Sequence, residues 1–210
     1  LREGGRRRGD VAAVAIDEEE ALETVQRQAL DAVADHRDES ARAQRHRAGE
    51  REVMLRHVAI ATGKPATFDG GADAITEVLN RAGIETTGLK LRDGSGLSRE
   101  NRVSPTTLVQ TIRAAIAGPQ TSTLVSDLPV SGFSGTLLRR FASSKGAYGL
   151  VRAKTGTLTG VHSLAGYATD ADGQPMIFAL MSDGNTSVST VTAETALDRV
   201  AAAIAGCRCS

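Results

Sequence analysis

An α+β fold, an antiparallel sheet with packed helices, is the class this 210-residue sequence predicts. Two observations carry the expectation. Three strand-like runs, Gly149–Leu158, Val161–Thr169 and Met176–Ser182, are separated by Gly160 and by the turn DADGQP, as in an antiparallel meander. Around them, apolar residues recur at helical spacing and end at glycines. Helices ahead of a hairpin-rich sheet, with a last helix returning, form a layered architecture.

The elements follow in chain order. Leu22, Val25, Ala29, Leu30 and Val33 recur at helical spacing, which predicts a solvated amphipathic helix from about Glu18 to Ala34. Residues 1–56 hold 24 charged residues and no aromatic; residues 57–210 hold 26 charged residues and all six aromatics. The first stretch is therefore too charged to build a core. Residues 1–52 read as a charged N-terminal segment, 53–206 as the folded domain and 207–210 as a tail. EVMLRHVAIATG predicts a helix stopped at Gly63, and GADAITEVLNRAG a second ending at Gly83. Leu89 and Leu91 alternate as a short strand, followed by a Gly/Ser loop. SPTTLVQTIRAAIAG is a third helix with Ser104 as N-cap and Pro105 at the first helical position. LPVSGFSG is a loop, the three strands follow, and TSVSTVTAETALDRVAAAIAG closes as a long amphipathic helix.

Composition narrows the function classes. The formal net charge is zero, which gives no support to a nucleic-acid partner. No apolar run approaches the length of a transmembrane span, and no signal peptide opens the chain. His36, His46, His57 and His162 lack metal-ligand spacing, so no metal site and no cofactor is expected. Cys207 and Cys209 are too close in sequence for an easy disulfide and read as tail residues.

Two stretches carry chemistry. Lys154-Thr155-Gly156-Thr157 lies on the first strand of the meander. An edge strand can take an extended peptide as an added strand, Gly156 lets it approach, and threonine hydroxyls can bind a carboxylate. Lys154 supplies a positive charge. The plain alternative is an exposed strand face, where threonine is common. Arg92-Asp93-Gly94-Ser95-Gly96-Leu97-Ser98-Arg99 is the second stretch, and an ordinary Gly/Ser loop with an Asp turn explains it equally.

Taken together, DGSGLSRENRVSPTTLVQTI, LPVSGFSGTLLRRF and VRAKTGTLTGVHSLAGYATDADGQPMIFALMSDG resemble the C-terminal half of class C low-molecular-mass penicillin-binding proteins. These are serine D-alanyl-D-alanine carboxypeptidases and endopeptidases acting on peptidoglycan. The resemblance runs from about Val53 to Ala205. It implies part of a β-lactamase/transpeptidase-like fold, an extracytoplasmic location in the cell envelope, and chemistry through an acyl-enzyme. It implies that Lys154 polarises the site, that Thr155 and Thr157 bind the terminal carboxylate of a D-Ala-D-Ala stem peptide, and that Gly156 lies under it. The Thr157 N–H would form half of an oxyanion hole. It places Ser95, Leu97, Arg99 and Leu158 around the stem peptide's third side chain, with Arg99 meeting that side chain's carboxylate. β-Lactams are implied as ligands of the same site.

The family's Ser-x-x-Lys and Ser-x-Asn motifs do not occur in the 210 residues. The expectation is therefore a fragment whose first fifty residues are foreign to the family, consistent with a shifted reading frame, and inactive alone. Two alternatives stay open: a non-catalytic stem-peptide-binding module, and a fragment of a related serine β-lactamase.

Overall fold

The computed structural model describes residues 48–119, 121–184 and 186–208, and the expected helix over 18–34 lies outside them. Helix α1 (48–61) ends where Gly63 turns to φ 73°. Lys64 N–H donates to Ala59 O at 2.8 Å and Gly63 N–H to Ile60 O at 3.0 Å, which closes the last carbonyls. Helix α2 (Phe68–Arg81) repeats the device with Gly83 at φ 72° and Ile84 N–H on Leu79 O. Thr67 caps its start, its hydroxyl accepting from Gly70 N–H at 3.0 Å. The two helices approach closely because residue 71 is glycine; a Cβ there would overlap Leu55.

Helix α3 (Pro105–Ala117) starts at the expected Ser104, whose hydroxyl accepts from Thr107 N–H at 3.0 Å. A short helix α4 (Ser122–Ser126) follows, which the periodicity did not indicate. Single 3-10 turns occupy Gly135–Leu137 and Lys145–Ala147. The sheet is β1 (Val151–Leu158), β2 (Val161–Thr169) and β3 (Pro175–Ser182), antiparallel in that order. Helix α5 (Thr190–Ala205) returns across it, capped by Ser189 on Thr192 N–H at 3.1 Å.

The core lies between the sheet and α5. Leu164, Ala168, Val151 and Ala153 meet Ala201 and Ala205, with Leu137 and Phe141 closing one side. Burying each large side chain contributes about 1.5–3 kcal/mol. Gly166 sits between Ala153 on β1 and Phe178 on β3. A Cβ at Gly166 would run into Arg152 O and Ala153, so the residue must be glycine for the strands to pair. Helix α3 packs against β3 and β2.

Three expectations are corrected. The strand at Leu89–Leu91 reduces to a single bridge, Lys90 with Arg102, because Arg92 N–H goes to the Asn101 side chain instead of continuing the ladder. The final helix begins at Thr190, the preceding turn being left outside it. Cys207 is disulfide-bonded rather than a free tail residue, and no free cysteine is present among the described residues. No described helix is long and apolar enough to cross a membrane.

Candidate functional site

The outer edge of β1 is covered over its first half only. Ser131 N–H donates to Val151 O at 2.9 Å, and Ala153 N–H to Pro129 O at 3.0 Å. In an antiparallel strand the backbone groups of alternate residues point to the same side. Residues 151 and 153 thus face outward, and Thr155 and Thr157 do the same, while Lys154 and Gly156 bond toward Ala165 and Ser163 of β2. Beyond the Val130–Arg152 bridge no described segment pairs with this edge. The Thr155 N–H and the Thr157 N–H and C=O therefore stand along an open rail, with the Thr155 C=O taken by a side chain of the same strand. Lys154 is exposed and its ammonium donates to Thr155 O at 2.6 Å, placing a positive charge on the rail.

Side chains alternate across the strand. Thr155 and Thr157 share the α5 face with Val151 and Ala153; Lys154, Gly156 and Leu158 lie on the other. Gly156 also has a packing reason, since a Cβ there would meet the hydroxyl of Ser163 across the pair. Thr155 Oγ1 donates to Thr136 Oγ1 at 3.1 Å, and Thr157 Oγ1 to Glu194 Oε1 at 3.2 Å.

Glu194 belongs to a charged cluster behind the rail. Arg140 Nη1 lies 3.2 Å from Glu194 Oε1, and Arg140 Nη2 2.8 Å from Asp198 Oδ1. Arg140 Nε also donates to both Asp198 oxygens, and Asp198 Oδ2 accepts from Phe141 N–H at 2.9 Å. That last bond holds Phe141 at φ 64°, the one positive φ among described non-glycine residues.

The 93–101 loop is organised by one carboxylate. Asp93 accepts from the N–H groups of Gly96, Leu97 and Ser98, from Ser95 Oγ and from Asn101 Nδ2, all within 2.7–3.0 Å. Burial pushes its pKa up, but the bonds from Asn101, Ser98, Ser95 and Gly96 outweigh this and hold it below the usual carboxylate value. Glu52 on α1 clamps the same loop, accepting from Gly94 N–H at 2.9 Å and Ser95 N–H at 3.0 Å. Gly94 must be glycine here, because a Cβ would strike Arg51 O and Leu55.

The loop reaches the strand through Arg99, whose Nη2 donates to Thr159 O at 3.1 Å. Arg99, Thr157 and Leu158 line an open cleft of about 570 Å³ together with Val188, Ser189 and Thr190. The structure thus brings Arg99 to Thr157 and Leu158 at one end of the rail. It does not bring Ser95 or Leu97 to that cleft: the Ser95 hydroxyl is spent on Asp93, and Leu97 is 59% exposed. No group of His, Cys, Asp or Glu among the described residues is arranged to hold a metal ion.

Sequence reasoning read Asp93 only as a loop turn and missed Glu52, Thr136, Arg140 and Glu194. The D-G-S-G run signals an Asx-type turn, which pointed to Asp93. Glu194 and Asp198 stand four apart on α5, a spacing that lets both face one cation. Nothing local marks Thr136 or Glu52.

A family model described as D-Ala-D-Ala carboxypeptidase 3 (S13) matches residues 49–204. The carboxypeptidase DacB of Mycolicibacterium smegmatis is 41% identical over 163 residues, covering 75% of this chain and 35% of that protein. A D-alanyl-D-alanine carboxypeptidase of Actinomadura sp. is 34% identical over 154 residues, covering 71% of this chain and 28% of its own length. The crystal structure of penicillin binding protein 4 (dacB) from Haemophilus influenzae, complexed with a novel β-lactam, superposes with a TM-score of 0.61 at 32% identity. It covers 70% of this chain and 35% of that one. The chain thus spans about a third of the length of these relatives.

Proposed function

The chain belongs to the D-Ala-D-Ala carboxypeptidase 3 (S13) family, and we propose that its open β1 edge is the peptide-docking rail of a serine-type D-Ala-D-Ala carboxypeptidase or endopeptidase of peptidoglycan. The observation that carries this reading is the unpaired stretch Thr155–Thr157 beside the Lys154 ammonium. An extended stem peptide adds to the edge as a strand, its backbone bonding the outward groups of Thr155 and Thr157. Lys154 attracts the terminal carboxylate and polarises the scissile bond. Thr157 N–H points outward on the same side and supplies one donor to the oxyanion that forms when a serine attacks. Gly156 keeps the strand surface flat under the peptide. Arg99, with Leu158, bounds the cleft at the end of the rail, where the peptide's third side chain lies; Ser95 and Leu97 belong to the loop that carries Arg99. β-Lactams, which mimic the same carbonyl and carboxylate, dock in the same place. The cell envelope, where peptidoglycan lies, is the corresponding location.

A second reading, a non-catalytic stem-peptide-binding module, is favoured by one observation: no Ser-x-x-Lys or Ser-x-Asn occurs in the sequence. Both readings predict binding and differ in acylation. The test is titration of the 210-residue chain with N-acetylated peptides ending in D-Ala-D-Ala or L-Ala-L-Ala, beside labelled penicillin and mass spectrometry. Preference for the D-peptide without a covalent adduct is expected. Equal affinity for both peptides would overturn the docking rail, and an adduct would remove the non-catalytic reading.

A further inference from the structure

The two rail threonines differ in what they have left to give. A hydroxyl carries one proton. Thr155 donates to Thr136, itself a hydroxyl, so the pair keeps one O–H for a ligand. Thr157 donates to the carboxylate of Glu194, which returns nothing. Its oxygen then offers only lone pairs to the rail, which suit an amide N–H and oppose a carboxylate. Glu194 is held in this role from two sides. Arg140 Nη1 reaches its Oε1, and Arg140 Nη2 also donates to the Glu194 carbonyl at 3.1 Å. Asp198 fixes Arg140 in turn, with the Arg140 and Asp198 side chains only 11% and 5% exposed.

We propose that Glu194 is a positioning residue that holds the Thr157 hydroxyl proton away from the rail and so limits the site's preference for a free terminal carboxylate over a neutral end. The inference rests on the docking reading above. It gives the site a built-in tolerance for peptides that continue past the reacting bond. Thr157 and Arg140 share Glu194 Oε1, so Gln would still present an acceptor there; replacing Glu194 by Ala removes the acceptor and frees the Thr157 hydroxyl proton for the ligand.

The test compares two N-acetylated peptides ending in D-Ala-D-Ala, one a free acid and one a C-terminal amide. Their affinities are measured on the 210-residue chain as wild type, E194A, T157V and the double variant. E194A is expected to move the acid-to-amide affinity ratio toward the acid by about tenfold, the worth of one charge-assisted hydrogen bond. In the T157V background the same change should move the ratio by less than about threefold, since only the through-space charge remains. E194D, which keeps the charge on Arg140 but retracts from Thr157, should move the ratio in the same direction. An unchanged ratio in E194A, or equal movement in both backgrounds, would overturn the proposal.

A ligand-free readout separates this from the docking reading. The Thr157 hydroxyl proton should be protected from exchange in the wild type and lose protection in E194A. An unprotected hydroxyl in the wild type overturns the positioning role. A protected hydroxyl in a chain that binds neither peptide overturns the docking rail instead.

Discussion

Replacing Asp93 by Ala removes the acceptor for five donors at once. Three of them, Ser95 Oγ, Ser98 N–H and Asn101 Nδ2, are partly buried, and two, the N–H groups of Gly96 and Leu97, are exposed. The exposed pair rebonds to water at little loss. The partly buried donors lose about 1 kcal/mol each, giving about 3 kcal/mol for the loop. Native-state hydrogen exchange at amides 96–98 reads this directly, because the loop can open without unfolding the domain. The opening free energy should fall by about 3 kcal/mol in D93A and by less in D93N, which keeps one acceptor oxygen. The pH dependence has a fixed sign. The folded pKa is depressed below 3.8, so the contribution is whole above the unfolded value and is lost as pH falls through the folded one. The gap between wild type and D93A should therefore be full at neutral pH and close below the folded value. A loss under about 1 kcal/mol, or a gap that widens in acid, would refute the reasoning.

Other outcomes follow from the packing. Arg140→Met leaves Asp198 and Glu194 without their cation and should lower stability by about 3 kcal/mol in urea denaturation; a neutral result would show that the cluster is not desolvated. Gly166→Ala drives a Cβ into backbone and should lose about 3 kcal/mol or fail to fold, measured by thermal melting. Gly156→Ala meets only the Ser163 hydroxyl, so its loss should be about 1 kcal/mol and be recovered by adding Ser163→Ala. No recovery would mean that the glycine answers to something other than Ser163.

Much of the fold was legible because its signals are local. Gly63 and Gly83 stop helices through their own positive φ, Ser104 and Pro105 open one, and Gly160 and the DADGQP turn set the meander. The strand expected at Leu89–Leu91 failed because the Asn101 side chain, nine residues on, takes the Arg92 amide. The chemistry-bearing strand was legible as sequence, but its open half was not. Pro129–Ser131 covers residues 151–153 and departs before 155, a pairing that no periodicity within β1 encodes. Glu194 and Arg140 stood hidden for the same reason: they meet across 54 positions of chain. Ser95 was placed near the site by the family resemblance alone; its hydroxyl donates to Asp93 inside the loop, a bond that depends on the loop's folded shape.

The most direct test follows the backbone amides of Thr155 and Thr157 by NMR hydrogen exchange as a D-Ala-D-Ala peptide is added. Both amides should exchange freely in the unbound chain and become protected together on binding. Those of Lys154 and Gly156, already bonded to β2, should change little. Saturating peptide that leaves Thr155 and Thr157 unprotected, while perturbing residues elsewhere, would contradict a ligand that joins the sheet at this edge.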